Sequence, residues 1–322
     1  MDRLLVQSAY GAAVTRAQER SWWRQLIGKF WRHRWLYLLL APGLAYYLIF
    51  IYLPYAGTIL VFQDYSPYLG YAGSKWVGLK HFVRLFSDPI VRQVVVNTLV
   101  LSGLQIAIAF PVPIALALML NEVRQQLFKR AIQTAIYFPH FISWVIIVSI
   151  WYQLFHSRGL VNLMLAEAGL PTTAFLTNPA YFRLSFIVQG IWRDSGWGTI
   201  IFLAALSNID VALYEAAAVD GASRWQRLRH ITLPGILPVV MIVLILRLGT
   251  VLTVGFEHVF LMQNSSNDAI SQVVETYVYY RGIVSGNFSF AATVDLAKGA
   301  VGLVLVLAAN RLAKLIGQGG IF

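Results

Sequence analysis

The side chains with chemistry to offer lie inside apolar stretches: Arg193, Asp194, Arg247, Asp295 and Lys298. A charge in such surroundings is costly and as a rule faces a polar interior. Arg247 has no partner nearby in sequence, since Glu257 is ten residues on, about 15 Å along a helix. It either lines a polar path or ties helices together. Asp295 and Lys298 stand at i and i+3 and can neutralise each other, and Arg193 adjoins Asp194. Around them are aromatic faces (Trp144, Trp151, Tyr152, Trp192, Trp197) and amides (Gln153, Gln189, Asn97) of the kind that hold saccharides. Trp and Tyr also populate membrane interfaces, so both readings stay open. Three cations against two acids lean toward an anionic solute. Catalytic groups are missing. There is no cysteine, the six histidines form no His-x-x-x-His or Glu-x-x-His pair, and no Gly-x-x-x-x-Gly-Lys-[Ser/Thr] run is present. The pattern argues against an enzyme, a metal site and ATP binding on this chain. It points to passage of a solute. Ion-coupled secondary transport is the alternative, but the buried acids Asp194 and Asp295 each have a cation at i−1 or i+3, which speaks against a proton relay.

A second group lies between apolar stretches, in residues 209–234. Asp210 is suited to cap a helix over Val211 to Val219, and Gly221 to end it in the left-handed region. Ser223 then caps a basic helix through His230, which Pro234 is expected to stop. Ala216, Ala217 and Ala218 allow close approach of a partner, and Glu215 can reach a cation there.

These residues need elements to hold them. The 322 residues are 58% hydrophobic and 12% charged, with mean hydropathy +0.64; soluble domains are about 25% charged. That composition excludes a soluble globule and predicts an all-α membrane protein. Residues 36–62, 94–120 and 131–157 hold no Asp, Glu, Lys or Arg. With 184–208, 233–256 and 289–310 they predict six transmembrane helices, kinked at Pro111, Pro113 and Pro139. The net charge of +11 reflects basic loops rather than nucleic-acid binding. Loops on the side of the termini carry 15 Lys and Arg, those opposite 7, so both termini are expected in the cytoplasm. Residues 1–35 show no cleavage pattern. Trp22, Trp23, Leu26, Ile27, Phe30 and Trp31 share one helical face, which predicts an amphipathic helix in the bilayer interface. The expected organisation is a cytoplasmic or interfacial segment 1–35 and a permease domain 36–322 with its loop at 209–234.

The sequence also resembles a family. Glu215-Ala-Ala, Asp220-Gly221-Ala222 and Ile231-Thr-Leu233-Pro234 resemble the EAA loop of permease subunits of ATP-binding-cassette importers. Leu40-Ala-Pro-Gly43, Phe138-Pro-His-Phe-Ile-Ser-Trp144 and Trp192-Arg-Asp-Ser-Gly-Trp-Gly198 look like its poly- and oligosaccharide branch. Leu228 departs from the pattern, standing where many relatives carry Phe. The resemblance implies a bacterial inner-membrane, binding-protein-dependent importer of a saccharide, acidic and alginate-like. Its partners would be a second permease chain forming a heterodimer, an ATPase dimer that uses ATP and Mg, and a periplasmic solute-binding protein. No cofactor would be bound here. Glu215, Ala216, Ala217, Asp220 and Gly221 would couple to the ATPase, and Leu233 and Pro234 would fix the loop's return to the bilayer. Candidates for the solute path are Arg247, Arg193, Trp192, Gln189, Trp144 and Lys298.

Overall fold

The structure is a computed structural model that describes Lys29 and residues 31–315. The amphipathic face expected at 22–31 lies almost wholly outside the described residues. The chain divides into two compact units, residues 1–59 and 60–322.

The longest apolar stretches fold as long helices. α1 (Arg34–Phe62), α3 (Pro89–Glu122), α9 (Arg224–Gly249) and α12 (Phe288–Leu315) are each long and apolar enough to cross a membrane. Between α1 and α3 lie a two-residue hairpin, β1 (Gln63–Asp64) against β2 (Lys75–Trp76), and α2 (Lys80–Ser87). The next expected span is broken. α4 (Gln126–Phe141) and a second piece beginning at Trp144 meet at 99°. That piece comprises α5 (Trp144–Phe155) and α6 (Leu160–Glu167). α7 (Pro179–Ser207) turns by 66° into α8 (Val211–Val219). α10 (Phe256–Met262) and α11 (Val274–Tyr279) lie between α9 and α12. Among the described residues there are thus four candidate spans, or six if each bent pair is one. The described residues are helical apart from loops and this short hairpin.

The proline kinks take a specific form. Of four π turns among the described residues, three, at Leu48–Tyr52, Gln105–Ala109 and Leu228–Thr232, end two residues before a proline: Pro54, Pro111 and Pro234; the fourth, Tyr280–Val284, does not. A helical proline has no N–H for the carbonyl four residues back, and its ring crowds that carbonyl. In all three cases this carbonyl falls inside the π turn, where the wider ring of atoms takes up the clash. Pro234 therefore does not stop the second loop helix, contrary to the sequence expectation. Arg224–Gly249 is one rod, with the π turn as its accommodation. At Pro139 the helix gives way instead: a 3-10 turn (Phe138–Phe141) leads to extended backbone at Ile142 and Ser143.

Candidate functional site

The loop 209–234 is built almost entirely from its own residues. Asp210 Oδ1 accepts from Ala212 N at 2.9 Å, capping α8. The helix ends as Gly221 takes φ +72°, with Ala222 N donating to Ala217 O and Gly221 N to Ala218 O. This paired closure is the Schellman arrangement, which needs a left-handed residue where Gly221 stands. Ser223 and Gln226 then cap α9 reciprocally: Ser223 N donates to Gln226 Oε1 at 2.7 Å and Gln226 N to Ser223 Oγ at 3.3 Å. Glu215, Ala216, Asp220, Gly221, Leu233 and Pro234 are exposed and Ala217 is half-buried. Val211, Leu213, Val219 and Trp225 stand more than half exposed beside them. An ordered, exposed, partly apolar helix-turn-helix is a surface shaped for a partner.

A second site is assembled from four helices. A cavity of about 310 Å³ is lined by Gln105 and Phe110 of α3, His140 of α4, Asp194 and Trp197 of α7, and Arg247 of α9. Arg247, expected to lack a local partner, finds a distant one, donating from Nη2 to Gln105 Oε1 at 2.8 Å. The helix ends at Gly249, so Glu257 is not on its line. Asp194 Oδ1 takes Arg193 Nη1 and His140 Nδ1, both at 3.0 Å. The His140 ring stacks on Trp197, centroids 4.7 Å apart and 7° from parallel. Arg193 also donates from Nε to Ile142 O at 3.2 Å, and its guanidinium lies 4.5 Å over the Trp144 ring. The carbonyl it serves is one that the break between α4 and α5 frees. An irregular segment within a membrane persists where protein groups satisfy its backbone, and Arg193 satisfies this one. α7 and α4 come this close only because residue 196 is glycine: a Cβ there would lie 1.8 Å from Ile136 O.

The break is closed from the other side by His258 on α10. Its ring stacks on Trp144 (3.7 Å) and Phe186 (4.4 Å), and its Nε2 lies 3.0 Å from Gln189 Oε1. The turn leading into α10 is held by Glu275, whose Oε2 accepts from Val254 N and Gly255 N. Beyond this stack a second cavity of about 370 Å³ is lined by Trp151, Tyr152, Phe175, Gln189 and Asn264.

The structure therefore brings Arg193, Trp144 and Gln189 to one junction, and Arg247 to the adjoining cavity. Arg193 and Trp144, expected on the path, line neither cavity themselves, and neither does Trp192, which is 40% exposed. Lys298 pairs with Asp295 at 2.8 Å and lines a different groove, between α3 and α12. Asn97 spends its amide on Ala269 O and Gln272 O, a structural bond. Sequence reasoning did not single out His140, His258, Gln105 or Glu275. Their partners lie 54, 69, 142 and 20 or 21 residues away, beyond the reach of spacing.

Comparison with known proteins matches residues 109–319 to the family of binding-protein-dependent transport system inner membrane components. The polygalacturonan/rhamnogalacturonan transport system permease protein YteP of Bacillus subtilis is 48% identical, over 98% of this chain and 97% of that protein. Protein LplB of the same organism is 47% identical over 90% and 92%. Among solved structures, a bacterial alginate ABC transporter in complex with an alginate pentasaccharide-bound periplasmic protein contains a similar chain. It superposes with a TM-score of 0.84 at 39% identity, covering 91% of this chain and 98% of that one.

Proposed function

This chain belongs to the family of binding-protein-dependent transport system inner membrane components, and from that premise we propose how it serves a saccharide importer. It is a permease subunit, a multi-pass inner-membrane protein. Its solute is an acidic oligo- or polysaccharide, a uronate chain of the kind named for the relatives above. Its partners are a second permease chain, an ATPase dimer carrying ATP and Mg, and a periplasmic binding protein. Each bent pair counts as one span, giving six, with both termini cytoplasmic. Residues 1–35 form the interfacial segment and 36–322 the permease domain.

The observation that carries the coupling role is the exposed, doubly capped helix-turn-helix at 209–234. Glu215, Ala216, Ala217, Asp220 and Gly221 present its docking face, and Leu233 and Pro234 lead back into the rod. Closure of the ATPase moves this element and switches the cavity between the two sides of the membrane. Arg247 supplies positive charge in the cavity beside a solute carboxylate and Gln189 borders the second cavity; Arg193 and Trp144 act from behind the walls, holding the junction between the two cavities. Lys298 and Trp192 remain outside it, and bond chemistry belongs to the ATPase.

Purification of the tagged chain from its membrane in mild detergent, with mass identification of its companions, tests the reading. An ATPase and a second permease should be recovered. Uptake of an oligogalacturonate into vesicles should require ATP, and Glu215→Ala should lower it without lowering the amount of chain in the membrane. Recovery of the chain alone, with uptake independent of ATP, would favour ion-coupled transport instead.

A further inference from the structure

The coupling helix α8 is fastened to α9 by a hydroxyl pair: Tyr214 Oη and Thr232 Oγ1 lie 2.9 Å apart. Thr232 is 6% exposed and is the last residue of the π turn at the root of α9. Its hydroxyl donates to Arg227 O at 3.4 Å, which leaves Tyr214 as the donor to Thr232. Beneath the pair, Leu206, Ile209 and Ile236 pack into one apolar cluster, a contact that tolerates sliding because it has no direction. The hydroxyl pair is directional.

Above Thr232 the rod is unbroken α-helix, Leu233–Gly249. Arg247, fifteen residues from Thr232, is about 22 Å along it at 1.5 Å per residue. There it grips Gln105, the first residue of the π turn in α3. Each end of the stiff segment thus meets a π turn, and such turns are frequent at functional sites. A displacement of α8 has two ways to be absorbed. It travels up α9 to the Arg247–Gln105 bond, or it is lost as slip at Leu228–Thr232.

We infer that the Tyr214–Thr232 hydroxyl pair decides between these outcomes. The two are positioning residues that make α9 follow α8, so that motion at the loop reaches the cavity. The inference rests on the reading of α8 as the ATPase-docking helix. Neither residue belongs to the exposed docking face or lines the cavity.

The test uses the assembled importer in lipid nanodiscs. This chain has no cysteine, so Leu246→Cys, at a position 55% exposed beside Arg247, gives it a single thiol. Labelling of that thiol is followed by mass on this chain's peptide, with and without ATP and vanadate. With the hydroxyl pair intact, ATP and vanadate should change the labelling rate. Tyr214→Phe or Thr232→Val should shrink that change roughly threefold or more, as loss of one net hydrogen bond allows. Thr232→Ser should restore it, and the double variant should be no worse than either single one. The ATPase should remain bound in all of them. An undiminished response in Tyr214→Phe, or equal behaviour of Thr232→Val and Thr232→Ser, would overturn the inference. So would an absent response in Leu246→Cys alone, since α9 would then not move. Failure of the unmodified chain to retain an ATPase would instead overturn the proposed function.

Discussion

The loop 209–234, proposed to dock the ATPase, and the junction around Arg193, proposed to stand beside the passage, are made in opposite ways. Every capping bond of the loop joins residues at most five apart. The junction joins α4, α7 and α10 across 51 to 69 residues. A site made locally can form wherever its sequence is placed, and a partner can carry it about as a rigid piece. A junction made from distant helices exists only when those helices are packed. It is correspondingly able to change when they repack. On this construction the proposed coupling element is the invariant part, and the proposed passage the variable part.

If that contrast is right, the largest effects come from the junction. Gly196→Val should be the most damaging single change. Its Cβ would meet a main-chain carbonyl at 1.8 Å, and backbone cannot turn away as a side chain can. α7 and α4 must part, at a cost above about 3 kcal/mol. Loss of the monodisperse peak in detergent gel filtration would show it. Normal folding would mean that the close contact of the two helices is dispensable.

Arg193→Met follows. It strands the Ile142 carbonyl and leaves Asp194 with His140 alone. The groups are neither fully buried nor free in water, so about 2 kcal/mol is expected, between the values for surface and buried pairs. Thermal unfolding in detergent measures it. Arg193→Lys should recover little, because Nε and Nη1 serve two different acceptors and an ammonium cannot reproduce that fork.

Changes in the loop should act the other way round, small in stability and larger in assembly. Gly221→Ala forces a Cβ into the left-handed region, which costs roughly 1–2 kcal/mol and is borne locally. The melting temperature should move little, while the ATPase recovered with the chain should drop. Equal loss of both would erase the distinction between the two sites.

This difference in construction also decides what could be read in advance. Asp210, Gly221 and Ser223 announce their roles because a cap and its partners lie within five residues. The apolar stretches announce helices because bilayer thickness fixes their length. The break at Ile142 and Ser143 was legible only as a kink at Pro139, since a helix yields there according to whether something else receives its carbonyl. That receiver, Arg193, is 51 residues away. Pro234 misled for the same kind of reason. A proline ends an isolated helix, but a π turn upstream, held by Tyr214 and Thr232, lets the rod continue.

The smallest effect belongs to a third element, a part-exposed contact outside the candidate spans. Asp64 of β1 accepts from Lys80 Nζ at 2.6 Å, and His81 Nε2 lies 3.2 Å from its other oxygen. The Lys80 hydrogen bond holds the carboxyl below its ordinary value of 3.8, against a desolvation that pushes it up. A carboxyl with a lowered folded pKa binds fewer protons folded than unfolded. Its contribution is present above pH 3.8 and is lost as pH falls through the lower folded value. Side chains 59% and 38% exposed limit that contribution to less than about 1 kcal/mol. Lys80→Met should thus shift unfolding slightly at pH 7 and not at all near pH 2, and salt should shrink the difference at pH 7. A shift as large as that of Arg193→Met would mean that burial does not set the strength of these charged contacts.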